Sequence, residues 1–275
     1  MKRVTKNSLR AVAALGMNAV GAGAAINPSW FGSGFVIGFK DEELLRFILL
    51  TNKHVVKNHR EIIVRLTLND NLTSRDFAVP LYDATGALLY SSHPSNMVDI
   101  AAVSLDNVVP DALKSKICYF DSKKECLTLD KMRALDLGEG STLFALGFPM
   151  GMVDVQHNYT ICRSGCVAKI ESTYQDLDPI DYMGSVEVFP GNSGGPAVVN
   201  VTMPEDDKDL TALVGIVHSS ISYTENLISI QTKRTRSVME ENSGLTLIHP
   251  VDRILDVAEQ ELKRVELAAL KRGAL

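Results

Sequence analysis

The sequence predicts an all-β protein that ends in one α-helix, and three observations carry that expectation. Short runs of β-branched, aliphatic and aromatic residues recur along the chain, each bounded by Gly, Pro, Asn or Asp. Little helical periodicity interrupts them before residue 250. From Val251 the apolar spacing changes to that of an amphipathic helix. Many short strands without alternating helices suit a sandwich or a barrel.

The first element is read from Arg10 to Met17. Lys2, Arg3, Lys6 and Arg10 precede an Ala/Gly-rich stretch, Ala11–Ala25, which superficially resembles a secretory signal. That stretch holds a single Leu and is interrupted by Asn18, so it is weakly apolar for such a role. Residues 10–17 can equally serve as the first barrel strand, which cleavage near residue 25 would delete. The expectation is therefore a retained segment and a cytoplasmic protein, with export as the alternative if residues 1–25 act as a signal peptide. Further strands are expected at Phe35–Phe39, Leu44–Leu50, Ile62–Leu68, Ile100–Leu105 and Ser141–Leu146. Others follow at Gly165–Ile170, Pro196–Val201, Leu213–His218 and Gly244–Ile248. Turns fall at Lys40-Asp41, Asn69–Asn71, Gly138–Gly140 and Pro204–Asp207. In the terminal helix Ile254, Ala258, Leu262, Val265 and Ala269 form a stripe expected to dock on the body. Asp252 in its first turn and Lys271-Arg272 in its last complement the helix dipole.

Composition excludes some functions. A net charge of −5 leaves no basic footprint for nucleic acid. No apolar run reaches the roughly 18 residues a membrane span needs. Cys162 and Cys166, four apart on one expected strand, would lie about 13 Å apart, too far to bridge unless Gly165 makes a bulge. Cys118 and Cys126 could meet across a hairpin. A zinc reading of Cys-x3-Cys lacks a second ligand pair, so free thiols are expected.

The chemistry concentrates at Gly191-Asn-Ser-Gly-Gly-Pro196. Glycines beside a serine let the backbone bend so that the hydroxyl is exposed, and the N–H groups of Gly191 and Ser193 can converge as an oxyanion hole. A serine hydroxyl needs a base. Of the six histidines, His54 ends the apolar run Leu49–Val56 and so holds a fixed place at the edge of a core. A carboxylate must then fix the imidazole tautomer, and Asp99 opens the apolar run Asp99–Val103, where an acid is costly unless paired. The chain order His, Asp, Ser is that of chymotrypsin-like proteases.

These residues carry a resemblance. Leu50-Thr-Asn-Lys-His-Val-Val56, Asp99-Ile-Ala-Ala-Val103, Ala145-Leu-Gly-Phe-Pro-Met-Gly151, Gly191-Asn-Ser-Gly-Gly-Pro196 and Leu213-Val-Gly-Ile216 resemble the landmarks of trypsin-like peptidases, nearest the protease domain of the HtrA/Deg type. Gly32–Val36 resembles that family's opening strand, and Leu245–Asp252 its last strand and the start of its helix. The likeness, over roughly residues 10–260, implies two six-stranded antiparallel β-barrels with a C-terminal α-helix, a chymotrypsin-like fold. Residues 1–135 would form the barrel carrying His54 and Asp99, 136–250 the barrel carrying Ser193, and 251–275 the helix. It implies a serine endopeptidase acting on protein or peptide substrates, with no metal or cofactor. It says nothing of oligomeric state.

The departures set further expectations. No residues follow the helix for a PDZ domain, so peptide-triggered regulation of that kind is not implied. Asn192 stands where trypsin-type zymogens carry the aspartate that pairs with a newly cut N-terminus, so that activation is not expected. Asn107–Leu137 exceeds the family norm and is expected as an added surface lobe. Glu187, six residues before the serine, matches the acid at the pocket floor of enzymes that cut after Arg or Lys. His218, with Ser219 and Ser220, could instead line a pocket for acidic residues, and small or apolar side chains are the third choice. Two rivals remain. One is an α/β-hydrolase with Asp207 and His249 completing a triad, disfavoured because a strand rather than a helix follows the serine. The other is a catalytically silent trypsin-like pseudoprotease that binds without cutting.

Overall fold

A computed structural model describes residues 3–18, 28–41, 44–69, 73–204 and 207–273. The turns expected at Asn69–Asn71 and Pro204–Asp207 fall partly outside these residues, as does the Ala/Gly-rich stretch beyond Asn18. Strands of the first sheet are β1 Val12–Asn18, β2 Pro28–Lys40, β3 Leu45–Thr51, β4 Glu61–Thr67, β5 Ser74–Pro80, β6 Ser91–Ser92, β7 Ala101–Ser104 and β8 Phe120–Asp121. Those of the second are β9 Thr142–Gly147, β10 Ile161–Lys169, β11 Tyr182–Ser185, β12 Pro196–Met203, β13 Lys208–Ile228 and β14 Thr235–Pro250. Helices are short except the last: α1 Lys6–Arg10, α2 Lys53–Val56, α3 Asp111–Lys114, α4 Leu129–Ala134, α5 Glu171–Tyr174 and α6 Val251–Gly273. The all-β class and the terminal helix are as expected.

The second sheet closes into a six-stranded barrel in the order β10-β11-β14-β13-β12-β9. The first differs from the expected six closed strands. Among the described residues its path β5-β4-β1-β2-β3-β7-β6 does not close, and β8 adds a parallel eighth strand beside β2. The segment at residues 12–18 is integral to it: β1 pairs with β2 and β4, and Ala11 through Leu15 are buried.

Strands that read as continuous apolar runs do so because both faces are covered. On β2 and β3, Val36, Phe47 and Leu49 fill the first sheet's interior, while Phe35, Ile37, Ile48 and Leu50 face a second core. On β9 and β12, Leu143, Ala145 and Val199 fill the barrel, while Phe144, Leu146 and Val198 join that same second core. The shared core therefore clamps sheet to barrel, and Val251, Ile254, Val257 and Ala258 of α6 complete it. The stripe's far end does not dock: Ala269 is exposed, as are Leu267 and Leu270.

Asn107–Leu137 is not a surface lobe. Phe120 is fully buried, β8 extends the first sheet, and the Leu213 N–H and carbonyl bond to Glu125 O at 2.7 Å and to Leu127 N at 2.9 Å. The segment stitches sheet to barrel. Beyond Ser220, β13 and β14 leave the barrel as a two-stranded ribbon whose side chains are almost all exposed. Among the described residues all four cysteines are free, Cys118 and Cys126 buried, Cys162 exposed and Cys166 between the two.

Candidate active site

β3 ends at Thr51, and the extended backbone of Asn52 turns the chain into α2. Val55 and Val56 pin that single turn to the core. His54, on the same turn, keeps 43% of its side chain accessible. Asp99 precedes buried Ile100, and its carbonyl accepts from Asn52 Nδ2 at 2.7 Å and from Lys53 N at 3.3 Å. Its Oδ1 accepts from His54 N at 3.0 Å, and its Oδ2 takes a short hydrogen bond from His54 Nδ1. Burial pushes the Asp99 carboxyl upward, but the hydrogen bonds and charge of His54 outweigh it and hold the group below the ordinary aspartate range. The expected histidine and carboxylate are thus brought together, with the imidazole oriented by its Nδ1.

Ser193 lies on a loop whose glycines are required by contact. Gly191 and Gly194 have φ of 97° and 84°. A Cβ on Gly191 would sit 2.5 Å from Phe148 O, and one on Gly194 2.3 Å from both Ser33 O and Thr51 Oγ1. The serine loop therefore rests on the end of β3, next to the turn that carries His54. Buried Asn192 braces it from within, its Oδ1 accepting from Phe189 N at 3.0 Å and its N–H donating to Phe189 O at 2.9 Å. The Pro190 carbonyl accepts from Met150 N at 2.6 Å, so across that trans peptide the Gly191 N–H faces the opposite side.

Sequence reasoning passed over Ser33 as an ordinary strand residue. Its buried hydroxyl donates to Gly191 O at 2.6 Å and accepts from Phe148 N at 2.9 Å, while its N–H donates to Ser193 O at 3.1 Å. One serine of the first sheet so fastens the loop that projects from the barrel. The sequence signal was its setting, a hydroxyl between two glycines on an otherwise apolar strand.

A cavity of about 310 Å³ opens beside Ser193, walled by Val188, Phe189 and Pro190 on one side and by Val217, Ser219 and Ser220 on the other. Glu187 is not among these residues. Along 185–188 the side chains alternate outward and inward, so Val188 turns inward and Glu187 outward, where it is 57% exposed and pairs with Arg163 Nη2 at 2.7 Å. His218 is also turned away from the cavity: its Nε2 donates to Asp181 Oδ1 at 3.0 Å, and its ring stacks on His249 at 3.9 Å between centroids, 6° from parallel. Ser219 and Ser220 line the cavity.

Behind Asp99 lies a group the sequence did not reveal. His249, fully buried, accepts from Asp99 N at Nε2, 2.9 Å, and its Nδ1 lies 2.7 Å from Asp181 Oδ1. Burial raises the Asp181 carboxyl, but hydrogen bonds from His218 and His249 overcome this and bring it down to about 2. One donor atom each of Asp181, His218 and His249 falls within 4.8 Å of the others, close enough to suggest a metal site. The nearly parallel rings oppose it, because their in-plane lone pairs lie in planes that do not meet. The hint available in the sequence was an ionisable residue ending the apolar run before Pro250, costly to bury without a partner; Asp181, in a polar loop, gave none.

The trypsin-like peptidase domain family matches residues 32–202. No curated protein matches in sequence. Among solved structures the chain resembles the HtrA-type protease AlgW with a decapeptide, at TM-score 0.51 and 16% identity, over 93% of this chain and 65% of that one. It also resembles the apo MamO protease domain from Magnetospirillum magneticum, at TM-score 0.49 and 16% identity, over 91% of this chain and 97% of that one. The family match runs from β2 to β12, more than half the sequence, and takes in His54, Asp99 and Ser193, so this chain belongs to the trypsin-like peptidase family.

Proposed function

We propose that the chain is a serine endopeptidase that cleaves peptide bonds through an acyl-enzyme on Ser193, at a site between residues 1–135 and 136–250. The observation that carries this reading is the His54–Asp99 pair: Nδ1 is committed to the carboxylate, which leaves Nε2 to act as the base towards Ser193 in this reading. In this mechanism Ser193 Oγ attacks the scissile carbonyl as His54 takes its proton. Asp99 holds the tautomer and stabilises the imidazolium. The oxyanion forms against the N–H groups of Gly191 and Ser193, the former turned by the tied Pro190 carbonyl. His54 then protonates the leaving amine, and water, activated by the same histidine, releases the acyl group.

The cavity beside Ser193 carries no ionisable side chain among the residues described as lining it, and Val188, Phe189 and Val217 make it largely apolar. That favours a small or medium apolar residue on the acyl side of the cut bond, in place of the basic residue that Glu187 at the floor would select. Mass-spectrometric profiling of cuts in a peptide library tests both statements. Cuts after apolar residues, unchanged by Glu187→Ala and abolished by Ser193→Ala, are expected. Cuts after Lys or Arg that vanish in Glu187→Ala would reverse the specificity, and no cuts by folded protein would leave a binding module.

A further inference from the structure

The peptide N–H of Asp99 points at an imidazole. Because His249 Nε2 accepts that hydrogen bond at 2.9 Å, the ring must carry its proton on Nδ1, where Asp181 Oδ1 at 2.7 Å and Ile180 O at 2.9 Å await a donor. Each ring atom able to hydrogen-bond is therefore committed, and the ring is wholly buried. His218 completes the arrangement by stacking flat on His249 and donating to the same Asp181 oxygen. Read outward, the contacts run from the Asp181 carboxylate through the His249 ring to the Asp99 peptide N–H, and from the Asp99 carboxylate to His54.

We propose that His249, oriented by Asp181, is a positioning residue for catalysis, fixing the Asp99 backbone from behind so that its carboxylate meets His54 at the required angle. The inference rests on the peptidase reading above. Asp99 is otherwise held through its carbonyl by Asn52 and Lys53 and through its carboxylate by His54, all from the side of α2. Among the described residues, the bond from His249 is the one that reaches it from the barrel. Strand β14 of one body thus sets the acid whose partner base sits on the other. Loss of the acceptor would leave a buried N–H unpaired and let the 98–99 peptide rotate, which misdirects the carboxylate without touching substrate.

Three variants test this against a purely structural role. His249→Leu removes the acceptor, His249→Gln keeps an oxygen near the place of Nε2, and His249→Asn keeps only a group near Nδ1. Steady-state kinetics on a cleaved peptide should show kcat in His249→Leu falling about 10–100-fold with KM little changed, as is typical when an outer-shell partner is lost. Glutamine should restore most of kcat and asparagine should not. Equal kcat in all three, or loss confined to KM, would overturn the proposal. If the leucine variant fails to fold, ¹⁵N shifts of the His249 ring in the intact wild type decide: a protonated Nδ1 with a bare Nε2 supports it, and the opposite tautomer refutes it. Fluorophosphonate labelling of Ser193 separates the two levels. A wild type that never labels removes the peptidase reading and this inference together, whereas a labelling wild type with an unaffected leucine variant removes the inference alone.

Discussion

At the scale of single residues the site is held by atoms that have no substitute. Asp99→Asn preserves shape but offers an N–H where His54 needs an acceptor, so turnover should fall on the order of 10⁴-fold with the melting temperature nearly unchanged; wild-type kcat in that variant would reject the assignment. Asp181 makes a statement about acid stability. Its carboxyl is lowered from 3.8 to about 2, so its contribution is complete above the ordinary aspartate range and drains as pH falls from near 4 towards 2. Asp181→Asn should therefore cost on the order of 2 kcal/mol at pH 6 and almost nothing at pH 2, read from urea unfolding at each pH. A gap that persists at pH 2 would contradict this. The His54–Asp99 contact and the bent serine loop were legible because each lies in a local pattern that chemistry demands: glycines at positive φ, a histidine at a strand end, an acid opening an apolar run. Glu187 and His218 were misread for a common reason. Distance along the chain from Ser193 does not say which face a side chain takes, and a single step of alternation turned Val188, not Glu187, towards the cavity.

The terminal helix shows at the scale of elements how burial and charge divide the work. Its first turns sink Ile254, Val257 and Ala258 into the shared core, and Glu261 follows them with no exposed surface. That carboxylate accepts from Ser91 Oγ and Ser104 N, each at 2.9 Å, and from Arg264 Nε and Nη2 at 2.8 and 2.7 Å. Helix α6 is thereby tied to β6 and β7, the strands that precede and follow the Asp99 loop. Glu261→Ala strands Arg264 and two donors, and should destabilise by about 3–5 kcal/mol in denaturant titration, whereas Leu270→Ala on the exposed end should stay within about 0.5 kcal/mol. Equal effects from the two would undo this account of docking. The helix itself could be read from its period, and most strands from their apolar runs. The ribbon beyond Ser220 could not, because its side chains bury nothing and leave no periodic trace. Nor could the stitching by residues 120–127, which depends on backbone bonds to Ile37, Gly38 and Leu213 that no side-chain pattern encodes.

For the molecule as a whole, the consequential feature is the core shared between sheet and barrel. Strands β2, β3, β9 and β12 each present one row of apolar side chains to their own interior and the next row to that common core. The two bodies are then fixed in register, which is what allows a serine loop from one to rest on the strand end that carries the histidine of the other. Ser33 and His249 reinforce that register with polar bonds in which the first sheet donates and the barrel accepts. The most direct measurement of the outcome is intact mass after exposure to a fluorophosphonate, followed by peptide mapping. One adduct on Ser193 in the wild type is predicted, slowed by roughly three to four orders of magnitude in His54→Ala and missing in Ser193→Ala. A folded wild type that takes no adduct, or a Ser193→Ala protein that still takes one, would contradict the claim that these separate bodies build one nucleophile.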